Sequence, residues 1–202
     1  MCDLVSRRSR IDIGLLMAIS DEKFKHGFVI SQIALEISKI EGLRLNIRDG
    51  ITRSGYEISV YSKGSLVGKF GLFIKFSSSR RSPWRYSFTL DHQTEIDLLH
   101  REYGEVFVAL VNKDDGVACL SHELLKQILD EHYEEVEWVS VSTKLKSQYN
   151  IKGKDGKLDN KIARSDFPRS IGLYARSLAS SLSPSDQSKG DKAIWKRLFG
   201  LR

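Results

Sequence analysis

Cysteine is nearly absent from this 202-residue chain: Cys2 and Cys119 are the only two, far apart and in no zinc-binding spacing. That excludes a disulfide framework and suits a reducing compartment, so a cytoplasmic protein is expected. Long apolar runs are also missing. The longest near the start, residues 13–19, is shorter than a membrane span, Asp12 enters it, and no small-residue cleavage pattern follows. These features argue against a transmembrane segment and an export signal, and the Arg7-Arg8-x-Arg10 cluster lacks the apolar region a twin-arginine signal needs. The histidines His26, His92, His100, His122 and His132 form no helical i, i+4 pair. No Gly-x-Ser-x-Gly, phosphate loop or solenoid period is present, so zinc, serine-hydrolase, nucleoside-triphosphatase and repeat readings are set aside.

What is present is ordinary in amount and uneven in placement. Hydrophobic residues make up 41% and charged residues 29%, enough for one domain with a proper core and an appendage. The formal charge is +7 over residues 1–85, −10 over 86–143 and +9 over 144–202. Only some faces can therefore meet a polyanion, because phosphate binding needs clustered cations that displace counterions.

Periodicity predicts a helix over residues 11–40, in two pieces broken near Ser20 or Gly27. Strands follow at 43–47, 56–62, 66–76 and 85–90, with a turn at Asp49-Gly50. Helical spacing spans 91–103, and the continuous apolar run 106–111 reads as a central strand. A strand at 117–120, a helix from Ser121 as N-cap to about residue 133, and a strand at 138–142 close the regular region. The expected class is α/β, with α+β possible: a single mixed sheet flanked by helices. The domain division is a core over 1–176 with a basic loop at 149–169, a Ser-rich linker over 177–190 and a short amphipathic tail over 191–202.

Within this order, Tyr56-Glu57-Ile58 and Phe73-Ile74-Lys75-Phe76-Ser77 resemble the PD-(D/E)XK restriction-endonuclease-like superfamily, over about residues 24–129. The resemblance implies a helix glutamate at Glu36, a second-strand acid at Glu57 and the lysine at Lys75. The acids would hold Mg²⁺, and the lysine would orient or activate water. The remaining acid position is Phe73, which cannot coordinate a metal, so an incomplete active site and no cofactor are expected.

The turn after Lys75 carries the nucleic-acid signal. Arg80, Arg81 and Arg85 can meet phosphates, Trp84 can stack on an exposed base, and Lys152, Lys154 and Lys157 can extend the basic surface. The alternative for Trp84 and Tyr86 is core packing on a strand. In the tail, Trp195, Leu198 and Phe199 form an aromatic-aliphatic face suited to docking on a protein partner. The leading expectation is a DNA- or RNA-binding protein with a nuclease-like core. The alternatives are an adaptor that docks through its tail and an active Mg²⁺-dependent nuclease.

Overall fold

A computed structural model describes residues 21–132, 134–144 and 147–181. Helix α1 (Asp21–Ser38) runs unbroken through Gly27 and buries Val29, Ile33 and Ile37 at helical spacing. Three strands follow as an antiparallel meander: β1 (Leu43–Asp49), β2 (Gly55–Ser62) and β3 (Ser65–Ser77). The chain then leaves this sheet for β4 (Trp84–Thr89) and returns through α2 (Leu90–Tyr103) to β5 (Val106–Asn112), which lies parallel to β3. Strand β6 (Val117–Ser121) pairs antiparallel with β5.

Helix α3 (His122–Lys126), strands β7 (Val136–Ser142) and β8 (Asn150–Gly153) and helix α4 (Asp166–Ser180) complete the described chain. The mixed α+β class is as expected, but the strands divide over two sheets. One is β1-β2-β3-β5-β6 and the other is β4-β7-β8.

Alternation along β3 and β5 explains why two cores share the larger sheet. Phe70, Leu72 and Ile74 face α1 and α4, with Phe107, Ala109 and Val111 beside them. Phe73, Val106, Val108 and Leu110 face α2 and the smaller sheet. All seven residues of β5 are buried, as the apolar run predicted for a central strand. Burial of Cys119 pushes its thiol up to about 12, which removes it from nucleophilic chemistry.

Three expectations change. Helix α3 begins at its Ser121 cap, whose hydroxyl accepts from Leu124 N at 3.3 Å, but it ends at Lys126 rather than near residue 133. The carbonyl of Ile128 is taken by Asp155 N at 3.1 Å, so it no longer serves a following helical turn. The basic loop expected at 149–169 contains β8 and is anchored by buried Tyr149, Ile151, Leu158 and Ile162, while Lys152 and Lys157 stay exposed. The first residues assigned to the linker, Ser177 to Ser180, form the last turn of α4, while the remainder of the linker and the tail lie outside the described residues. No helix among the described residues is long and apolar enough to cross a membrane.

Candidate nucleic-acid interface

The three residues matched to a metal-dependent nuclease do not converge. Glu57 lies opposite Gly71 on the face of the larger sheet that packs on α2. Its carboxylate accepts from Lys69 Nζ at 2.7 Å, Tyr103 Oη at 2.8 Å and Ser59 Oγ at 3.3 Å. The Lys69 and Tyr103 bonds hold its pKa below the ordinary value, and the charge is already matched. Glu36 belongs to α1 on the opposite face, against Gly172 of α4 and paired with Lys39 at 2.5 Å.

Lys75 lies opposite Leu110, four residues beyond Gly71 on β3, which is about 14 Å along the strand at ~3.4 Å per residue. Among the described residues, neither Glu36 nor Glu57 belongs to a group of three or more metal-ligating side chains close enough to share an ion. Phe73 is fully buried, stacked on Phe88 with centroids 6.2 Å apart and edge-on to His92 at 5.5 Å. Its place in the acid-x-Lys pattern is a core position.

Lys75 does meet titratable neighbours, though not the expected ones. Burial lowers its pKa and Glu22, in the first turn of α1, opposes the shift. His26 Nδ1 bonds Tyr56 Oη at 2.8 Å, and burial keeps the imidazole biased to its neutral form. His92 is biased the same way, first by burial and then by Lys75, and it completes the capping box of α2 with Thr89. Glu22 is the carboxylate acting on Lys75 and His26, and the two neutral rings and the desolvated lysine add no second acid for Mg²⁺.

The smaller sheet presents a different surface. On β4, Trp84, Tyr86 and Phe88 point into the core and Arg85 and Ser87 point out. Trp84 is only 3% exposed and its Nε1 donates to Ser79 O at 3.1 Å, so it is a core residue and not a stacking platform. On β7, Val139 and Val141 are in the core and Trp138 stands exposed on the outer face, whereas Ser140, of the same parity as Trp138, is itself buried.

Strand register places Arg85, Ser140 and Lys152 side by side across β4, β7 and β8, and Ser87 opposite Trp138. Trp138 is 38% exposed, with Lys152 Nζ 5.8 Å from its ring centroid. A cation over an indole face keeps the ring in place and leaves an aromatic surface flanked by positive charge. Trp138 was not among the residues singled out from sequence.

Arg80 and Arg81 are exposed in the turn before β4. That turn is fixed by Ser79 Oγ donating to Arg81 O at 2.8 Å and by Thr143 N donating to Ser82 Oγ at 3.1 Å, which brings it beside the end of β7. Lys157 is exposed and bridges by its backbone to Lys152. Lys154, in contrast, pairs with Glu134, and Arg164 pairs with Asp115 at 2.7 Å. The usable cations are therefore Arg80, Arg81, Arg85, Lys152 and Lys157. Trp195, Leu198 and Phe199 lie outside the described residues. Comparison with protein-family models, curated proteins and solved structures finds no match to this chain.

Proposed function

We propose that this protein binds single-stranded DNA or RNA on the outer face of the β4-β7-β8 sheet and does not cleave it. One observation carries the reading: an exposed Trp138 on the central strand, with Lys152 over its ring, and with Arg85 and Lys152 exposed on either side of the buried Ser140. Arginine and lysine contact phosphates, and an exposed aromatic ring stacks on an unpaired base. The turn bearing Arg80 and Arg81 lengthens the positive track. The order α1, β1-β2-β3, α2, β5 is in keeping with a PD-(D/E)XK-like scaffold, while the separation of Glu36 from Glu57 and Lys75 favours binding over hydrolysis.

Titration of a fluorescent single-stranded oligonucleotide, followed by anisotropy at several salt concentrations, tests this. Trp138→Ala is expected to weaken binding by about 1–3 kcal/mol, the usual worth of one stacked base. Arg85→Ala with Lys152→Ala should weaken all sequences alike and make the salt slope shallower by roughly 0.7 per lost phosphate contact. Unchanged affinity in Trp138→Ala, or a salt slope untouched by the double substitution, sinks the assignment.

A further inference from the structure

From the geometry we infer that Asp130, Glu137 and Asp155 form a binding site for a hard divalent cation of calcium size, at the end of the smaller sheet. One carboxylate oxygen of each residue lies within 4.8 Å of those of the other two. Three oxygens evenly spaced around one ion stand at most about 4.3 Å apart at Ca²⁺ bond lengths near 2.5 Å and about 3.6 Å at Mg²⁺ bond lengths near 2.1 Å, so the larger ion needs the smaller adjustment. The donor set is all carboxylate oxygen, the chemistry of a hard cation and not of a thiolate- or imidazole-seeking metal.

Glu137 supplies the decisive observation. It is fully buried on β7, directed inward by the same alternation that turns Trp138 outward, and its Oε2 has no hydrogen-bond partner. Burial raises the Glu137 pKa, the Glu134 backbone bond, Lys154 and Gln93 oppose that shift, and Gln93 Nε2 still completes no hydrogen bond of good geometry. A buried carboxylate oxygen left without a donor or cation is costly, and an ion shared with two neighbouring carboxylates removes that cost.

The site is also held in shape from outside. His132 N donates to Asp130 Oδ1 at 2.6 Å, Asp130 N to Asp155 Oδ2 at 3.1 Å and Glu134 N to Glu137 Oε1 at 3.4 Å. One oxygen of each carboxylate is thus held by a backbone N–H, and the exposed His132 ring stands 3.7 Å from the other oxygen of Asp130. Lys154 pairs with Glu134, and its charge also acts on Asp155 and Glu137, so a bound ion competes with it. The Asp130 side chain is 48% exposed, which gives an ion a path in from solvent.

The three residues come from the segment after α3, from β7 and from the turn after β8, so a bound ion would tie these elements together. Calorimetric titration of CaCl₂ into the chelator-treated full chain, with melting curves in parallel, tests the site. One Ca²⁺ per chain is expected, with Kd in or below the range of about 10⁻⁴ to 10⁻³ M and Mg²⁺ binding more weakly. At ten times Kd the melting temperature should rise by about 3 °C.

Glu137→Gln should abolish the heat. Because that variant alters a buried position, Asp130→Asn with Asp155→Asn provides a second test that leaves Glu137 intact, and Glu123→Gln, elsewhere on the surface, should bind as before. The site is refuted by no heat up to about 10 mM Ca²⁺, or by equal heat in the double variant. It is refuted equally if Glu137→Gln raises the melting temperature while Ca²⁺ leaves the parent protein unchanged. That result would mark Glu137 as a neutral acid set against Gln93.

Discussion

Glu57 shows how one residue can match a motif and do other work. As an acid on the second strand it invites a metal-binding role, but three donors already surround its carboxylate. Its folded pKa lies below the ordinary 4.5, so its stabilising contribution is present above that value and is lost as pH falls through the folded pKa. Glu57→Gln should therefore lower stability at neutral pH and flatten the acid limb below about pH 4.5, as read by urea denaturation across pH. A limb of unchanged steepness would show that the Lys69 and Tyr103 bonds contribute nothing to folding. Trp138 is the opposite case. The parity of Val139 and Val141 already implies that Trp138 faces out and Glu137 faces in. Reading the strand by apolar count alone conceals this, because it treats every tryptophan as a core candidate.

Among the elements, the ones legible in the sequence are those with a clean period. The apolar run of β5, the alternation of β2 and the Ser121 cap of α3 each carry one strong local signal. Strand β8 and helix α4 lie after residue 144, where charged and small residues dilute the pattern. Yet Phe167, Ile171, Tyr174, Ala175 and Leu178 keep helical spacing, and all pack on the core shared by α1 and α4. The truncation of α3 was not legible at all, since it depends on Asp155 capturing the Ile128 carbonyl from far along the chain.

This docking is tight at Gly153, where an added Cβ would meet the Ile128 carbonyl oxygen. Gly153→Ala should cost about 1–3 kcal/mol through forced separation of the two segments, seen as a lower denaturation midpoint. A midpoint equal to that of the parent would mean that the contact yields without strain.

For the molecule as a whole, the larger sheet is a partition with a core on each side. Phe107 and Leu110, three residues apart on β5, belong to different cores. Phe107→Ala is expected to cost about 3–5 kcal/mol and Leu110→Ala about 2–5 kcal/mol. Both should shift one cooperative transition, because neither core survives loss of the strand they share. Two resolved transitions in either variant would contradict this. The basic-acidic-basic order of the sequence is only partly preserved in space: Lys154 and Arg164 are neutralised by Glu134 and Asp115, while Arg80, Arg81 and Arg85 remain exposed. The resulting positive track is narrower than the sequence suggested.

The excursion of β4 out of the larger sheet matters during synthesis as well as in the finished protein. Trp84, Tyr86 and Phe88 emerge from the ribosome far ahead of their β7 partners Val141, Val139 and Glu137. Until β7 arrives, β4 is an unpaired aromatic strand, the kind of edge that recruits a neighbouring chain. Arg80, Arg81 and Arg85 border and interrupt that strand with like charge, which disfavours its pairing with a second copy. The charges that the proposed function sets against phosphate would also keep this strand from pairing with a second copy before β7 arrives.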